Sequence, residues 1–213
     1  MEILISTVLI LSALLAGAIS PGPSFVLVAR MAMGSSRSDG IAAAFGMGLG
    51  GVIFAILALM GLQTVLARIP LLYFGLKIIG GLYLIYIAIR IWKGAHQILI
   101  VANEIHRKKS EFKRSFITGF FTQISNPITA FVYAGIFAAL LPENIPSILY
   151  FVLPPFVFLI ETGWYLTVAL MLSSKVPQAA YLKTKSVFDR ALGCVMAGLG
   201  IKLIASTADS GLS

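Results

Sequence analysis

Long uncharged runs dominate this chain, and they fix the solvent in which it can fold. Six segments, at roughly 3–29, 41–66, 71–92, 115–141, 147–173 and 188–206, are each apolar for about the twenty residues a helix needs to cross the hydrocarbon core. Short charged clusters separate them. With 59% hydrophobic and 11% charged residues over 213 positions, too little charge remains to coat a water-soluble domain. The expected fold class is therefore all-α and integral to the membrane, with six transmembrane helices. The connections are one stretch near 94–114, a shorter one near 174–187, and turns, so no soluble domain is expected.

Charge placement sets the expected topology. Thirteen of the sixteen Lys and Arg residues fall on alternate connections: Arg30 and Arg37, then Arg90 to Arg114, then Lys175 to Arg190. By the positive-inside rule that side is cytoplasmic, which puts both termini outside. The net charge of +8 is thus accounted for by topology and by attraction to anionic lipid, and no nucleic-acid partner is implied. Ala16-Gly17-Ala18 resembles a signal-peptide cleavage site, but Glu2 stands where such a peptide carries Lys or Arg, so the first segment is expected to be a retained helix. Between Ala95 and Arg114, an apolar start at Ile98 and a basic end at Arg107-Lys108-Lys109 fit either a short interfacial helix or a solvated tether.

Motifs for enzyme chemistry fail on context. Gly46-Met47-Gly48-Leu49-Gly50-Gly51 matches the dinucleotide pattern, yet no strand precedes it and no acid follows about twenty residues on. Gly46 and Gly50 instead read as a smooth helix face for close packing. No Walker, HExxH or Ser/His/Asp arrangement is present, His96 and His106 are too few for a metal site, and the single Cys194 allows no intramolecular disulfide. The chain is not expected to be an enzyme or to carry a cofactor or metal.

Two interruptions carry the functional signal. Proline lacks an amide hydrogen and clashes with the carbonyl one turn back, so Pro21 and Pro23, with Gly22 between them and Ser20 and Ser24 beside them, must open the first segment. In the fourth segment Gln123-Ile124-Ser125-Asn126-Pro127-Ile128-Thr129 does the same. Both read Ile-Ser, a breaker, a hydroxyl residue and then Phe-Val. Opened backbone in hydrocarbon survives where it lines a cavity or meets other protein, and paired breaks at matched positions point to a 3+3 inverted repeat with broken helices 1 and 4. The first repeat would span 1–93, a cytoplasmic loop 94–114, and the second repeat 115–213. A merely kinked pair of helices is the plainer alternative.

Within the fifth segment Glu161 is a charge near mid-span, where an ionised acid costs about 2.5–3.5 kcal/mol unless paired or hydrated. It is expected to serve as counter-charge or proton carrier, or to form a structural ion pair. Lys77 is a candidate partner or gating residue, whereas Lys202 is placed to snorkel. Tyr83, Tyr86, Trp92, Trp164 and Tyr165 read as interface or packing residues.

In order and spacing, Ser20-Pro21-Gly22-Pro23, the run Gly34 to Gly50, Lys77-Ile78-Ile79-Gly80-Gly81-Leu82-Tyr83-Leu84 and Asn126-Pro127 resemble the lysine exporter (LysE/RhtB) family of bacterial amino-acid efflux proteins over nearly the whole chain. Ile128-Thr129 stands where that family often has Lys-Ala. The resemblance implies a multi-pass protein of the bacterial inner membrane that exports amino acids or related small metabolites, driven by the proton gradient and without ATP. Ser20, Pro21, Gly22, Pro23, Ser24, Gln123, Asn126, Pro127 and Thr129 would then hold the substrate, with Glu161 and Lys77 coupling charge or protons. Another small solute, a metal ion or a non-transporting scaffold remain the alternatives, and association between copies is left open.

Overall fold

The computed structural model describes residues 2–19, 22–68, 70–94, 111–142, 144–173 and 175–210. Among them the chain is all helical: α1 (Glu2–Ile19), α2 (Pro23–Gly34), α3 (Arg37–Arg68), α4 (Pro70–Gly94), α5 (Phe112–Ile124), α6 (Pro127–Leu140), α7 (Ile148–Leu172) and α8 (Lys175–Ser210). Two stretches, Arg37–Gly61 and Ile148–Leu172, are single helical runs long and apolar enough to cross a membrane. Two more are bent pairs, α1 with α2 at 58° and α5 with α6 at 57°. Residues 95–110, with both histidines, lie outside the described residues.

Local chemistry explains where the chain breaks. Gly22 takes an extended conformation (φ −107°, ψ −171°) and Pro23 opens α2, where a missing amide hydrogen costs nothing. At the second break the Asn126 side chain accepts the Ile128 amide at 3.1 Å, so Pro127 starts α6 from a capped end. Pro154 and Pro155 behave differently: they lie inside α7, which runs on through them. They leave the carbonyls of Tyr150 and Phe151 without intrahelical donors, but the preceding Leu153 has no side-chain acceptor with which to start a new helix.

Packing centres on α3, which lies against α5, α7 and α2, while α4 pairs with α8. The α3 contacts need glycine. A Cβ on Gly46 would strike the Phe116 carbonyl oxygen and come within 2.7 Å of the Phe120 amide nitrogen, and one on Gly50 would lie 2.7 Å from Gln123 Cβ. From the other side, a Cβ on Gly119 of α5 would meet the backbone of Ala43. Backbone lies against backbone at this crossing, as in small-residue helix contacts within membranes.

A carboxylate fastens the start of α3 to the start of α5. Asp39, 1% exposed, accepts the Ser115 hydroxyl at 2.7 Å and the Glu111 amide at 3.2 Å through Oδ1, and the Ser36 hydroxyl at 2.7 Å through Oδ2. Its own amide donates back to Ser36 Oγ at 3.1 Å, in the manner of a helix cap.

Asp39→Ala would remove the partner of the Ser115 hydroxyl and of the Glu111 amide, and should cost about 2–3 kcal/mol, read as a lowered unfolding midpoint of the detergent-solubilised protein. Gly46→Ala should destabilise by about 1–3 kcal/mol in the same assay, because rigid backbone would have to move. Gly163→Ala, where nothing stands within 4 Å of the new methyl, should be neutral or stabilising.

Candidate functional site

Both helix breaks deliver their polar residues to one place. Ser24 lies in the first turn of α2, Gln123 in the last turn of α5, and Asn126 caps α6. All are buried, with Gln123 only 1% exposed, and Glu161 of α7 joins them at 3%. The starts of α2 and α6 are adjacent, since Asn126 Nδ2 donates to Ser24 Oγ at 3.4 Å. Within their own helices the first-turn amides of Ser24 and Thr129 have no carbonyl one turn back. Two positive helix ends therefore converge where an anionic group could be held.

A directed chain of hydrogen bonds links these groups. The Ser24 hydroxyl donates to Gln123 Oε1 at 2.7 Å, and Gln123 Nε2 donates to Glu161 Oε2 at 2.7 Å. The other carboxylate oxygen, Oε1, accepts the Tyr133 hydroxyl at 2.7 Å. Tyr165, one turn beyond Glu161, is buried and reaches Ser24 through its side chain. Glycine again permits the approach, because a Cβ on Gly51 would sit 2.7 Å from Glu161 Oε2 and 2.8 Å from the Tyr133 hydroxyl oxygen. Thr162 lies against Gly48, and its buried hydroxyl has no hydrogen-bond partner among the described residues.

The structure thus gathers Ser24, Gln123, Asn126 and Glu161, with Gly22 at the cap of α2. Pro23 and Pro127 are exposed and act through the breaks they impose, while Thr129 is half-buried. Ser20, Pro21 and the Lys77 side chain lie outside the described residues. Lys202 is exposed on α8. Among the described residues no group of three or more His, Cys, Asp or Glu side chains is placed to hold a metal ion.

Tyr133 and the inward role of Tyr165 were not evident from sequence. Spacing could have found both: Tyr133 follows Asn126 by seven residues and Tyr165 follows Glu161 by four, intervals that keep a residue on the same helix face. Tyr133→Phe should leave the Glu161 carboxylate one donor short and lower stability in detergent by about 1.5–3 kcal/mol, with less loss in the double variant that also carries Glu161→Gln.

The family described as LysE type translocator matches residues 15–207. The chain is 27% identical over 188 residues to the threonine efflux protein of Salmonella typhi, covering 88% of this chain and 91% of that one. It is 26% identical over 190 residues to the threonine efflux protein of Escherichia coli K12, with the same coverage, and 24% identical over 191 residues to an uncharacterized membrane protein of Haemophilus influenzae. No solved structure matches the chain significantly.

Proposed function

This chain belongs to the LysE type translocator family, and from that premise we propose that it exports amino acids or closely related small metabolites from the cytoplasm as a proton-driven secondary transporter. A translocator moves its solute without transforming it, so the chain is a transporter and not an enzyme. The observation that carries the finer reading is the closed chain Ser24–Gln123–Glu161, which ties the start of a broken helix to a buried acid. The converging ends of α2 and α6 suit a carboxylate, and Glu161 suits an ammonium group or a proton. The threonine efflux relatives make threonine the first compound to try.

The proposed architecture is six spans in two inverted halves, α1 to α4 and α5 to α8, joined by a cytoplasmic loop at 94–114, with both termini outside. Exchange of the halves' contacts supports it. The pair α2·α7 has a counterpart in α6·α3 and α1·α6 in α5·α2, while α3·α7 and α4·α8 map onto themselves; α5 packs on α3 far more extensively than α1 does on α7. Among the described residues the contacts of α6 with α4 and α8 have no equivalent of similar extent at α2, and those of α2 with α3 have none between α6 and α7. Such asymmetry is what one end state of a rocking pair of halves would have. Lys77 keeps its proposed role in gating or charge coupling.

Substrate cannot enter this arrangement without replacing internal hydrogen bonds, which makes the cluster's polar atoms the groups to test. In bacteria overproducing the protein, preloaded labelled threonine or another amino acid of a panel should be released faster, and a protonophore should abolish the gain. Asn126→Ala and Glu161→Gln should each lower release about tenfold or more at equal expression, the equivalent of one charge-assisted hydrogen bond. Undiminished release from both variants would remove the substrate from this site.

A further inference from the structure

Gln123 sits between a titratable group and a broken helix, and its side chain is the one member of the chain that can reverse direction in place. An amide has an acceptor at one end and donors at the other, so half a turn about its last bond exchanges them. Its stem is held: Cβ and Cγ of Gln123 lie against the bare Cα of Gly50, at 2.7 and 2.8 Å from where a Cβ would be. The terminal amide is the part left to rotate.

As the bonds stand, Glu161 accepts at both oxygens, from Gln123 and from Tyr133. This arrangement suits an ionised carboxylate. Gln123 Oε1 then takes the Ser24 hydroxyl hydrogen, and Ser24 Oγ is left as an acceptor toward the break, where Asn126 Nδ2 donates from a long 3.4 Å and the Tyr165 side chain also reaches it. A proton arriving on Glu161 Oε2 changes each link. Oε2 becomes a donor and no longer accepts from Nε2. Rotation of the amide lets Oε1 accept from Glu161 and lets Nε2 donate to Ser24 Oγ, which frees the Ser24 hydrogen to point into the break. One proton is bound, no bond other than O–H is formed, and Ser24 changes from acceptor to donor.

Tyr133 is the less suitable recipient of such a reversal. Its ring has Phe54 and Phe137 as neighbours, with centroids 5.7 and 6.0 Å away, and its hydroxyl is bonded to Glu161 rather than to a residue of either break. The other groups that face the acid among the described residues are Tyr165 from its own helix, Gln123 from α5 and the bare Gly51 of α3, with Ser24 of α2 reached through Gln123.

We propose that Gln123 is a positioning residue that relays the charge state of Glu161 to Ser24, so that the break presents an acceptor to a substrate ammonium group when Glu161 is ionised and a donor that repels it when Glu161 is protonated. Proton and ammonium are then mutually exclusive by hydrogen-bond direction as well as by charge, which is the condition an antiporter needs. The inference rests on the exporter reading for its substrate, but the relay itself requires none.

The relay is tested first on the purified protein without substrate, by infrared difference spectra between alkaline and acid buffer, with glutamine isotopically labelled. A protonated-carboxyl band and a shift of the glutamine side-chain amide band should appear together. Both should vanish in Glu161→Gln, and only the amide shift should vanish in Gln123→Met, whose stem has similar length. A carboxyl band that rises while the glutamine band stays still overturns the relay, as does the absence of any carboxyl band. Gln123→Glu serves as second variant if the Met variant does not fold, and it too should lack the amide shift. In inside-out vesicles fed labelled threonine, a competing proton should raise the wild-type KM by up to about tenfold per pH unit of acidification. The total span of that rise should be about tenfold narrower in Gln123→Met, whereas a purely structural defect would shift KM equally at every pH. Linked infrared bands without threonine transport would uphold the relay and count against the cargo alone.

Discussion

A helix that ends in the interior of a protein must find partners for its backbone, and most of what is distinctive in this molecule follows from meeting that requirement twice. At each break a residue before the proline supplies the means: Gly22 by its extended conformation, Asn126 by capping the Ile128 amide. The two broken ends are then brought together rather than kept apart, so each completes the surroundings of the other. Ser24 and Asn126, 102 residues apart in the chain, are hydrogen-bonded neighbours.

Such proximity depends on what α3 lacks. Gly46, Gly48, Gly50 and Gly51 let α5 and α7 approach until backbone and the side chains of Thr162, Gln123 and Glu161 replace the missing methyl groups. Without that closeness Gln123 and Glu161 would be separated from the helix that aligns them. The Asp39 bonds act at the other end of the same helix, fixing the start of α5 against it. Scaffold and candidate site therefore share one helix, and stability and transport are not separable by position alone.

Much of this was legible in the sequence, for reasons specific to the residues involved. Proline and glycine act locally and leave little choice, so the breaks at Pro23 and at Asn126-Pro127 could be read directly. Glu161 could be singled out because a charge in mid-span has a cost wherever it lies. Less legible was anything that depended on tertiary partners. Pro154 and Pro155 bear the same residue signature as a break, yet α7 continues through them. Asp39 reads as an ordinary first-turn acid, and only the fold shows that it reaches Ser115. Tyr133 is one of seven tyrosines, and its spacing from Asn126 carries meaning only once Asn126 is known to face inward.

What the starts of α2 and α6 present to each other is main chain, and main chain is not spelled out residue by residue. A substitution can take away a hydroxyl or an amide side chain, but short of a further proline it cannot delete a peptide N–H or the dipole behind it. Sequence drift around such a feature changes its trimmings and leaves its sign of charge in place. Two chains sharing only about a quarter of their residues, as this one does with its threonine efflux relatives, can therefore keep the same electrostatic seat while differing in every side chain that decides what sits there.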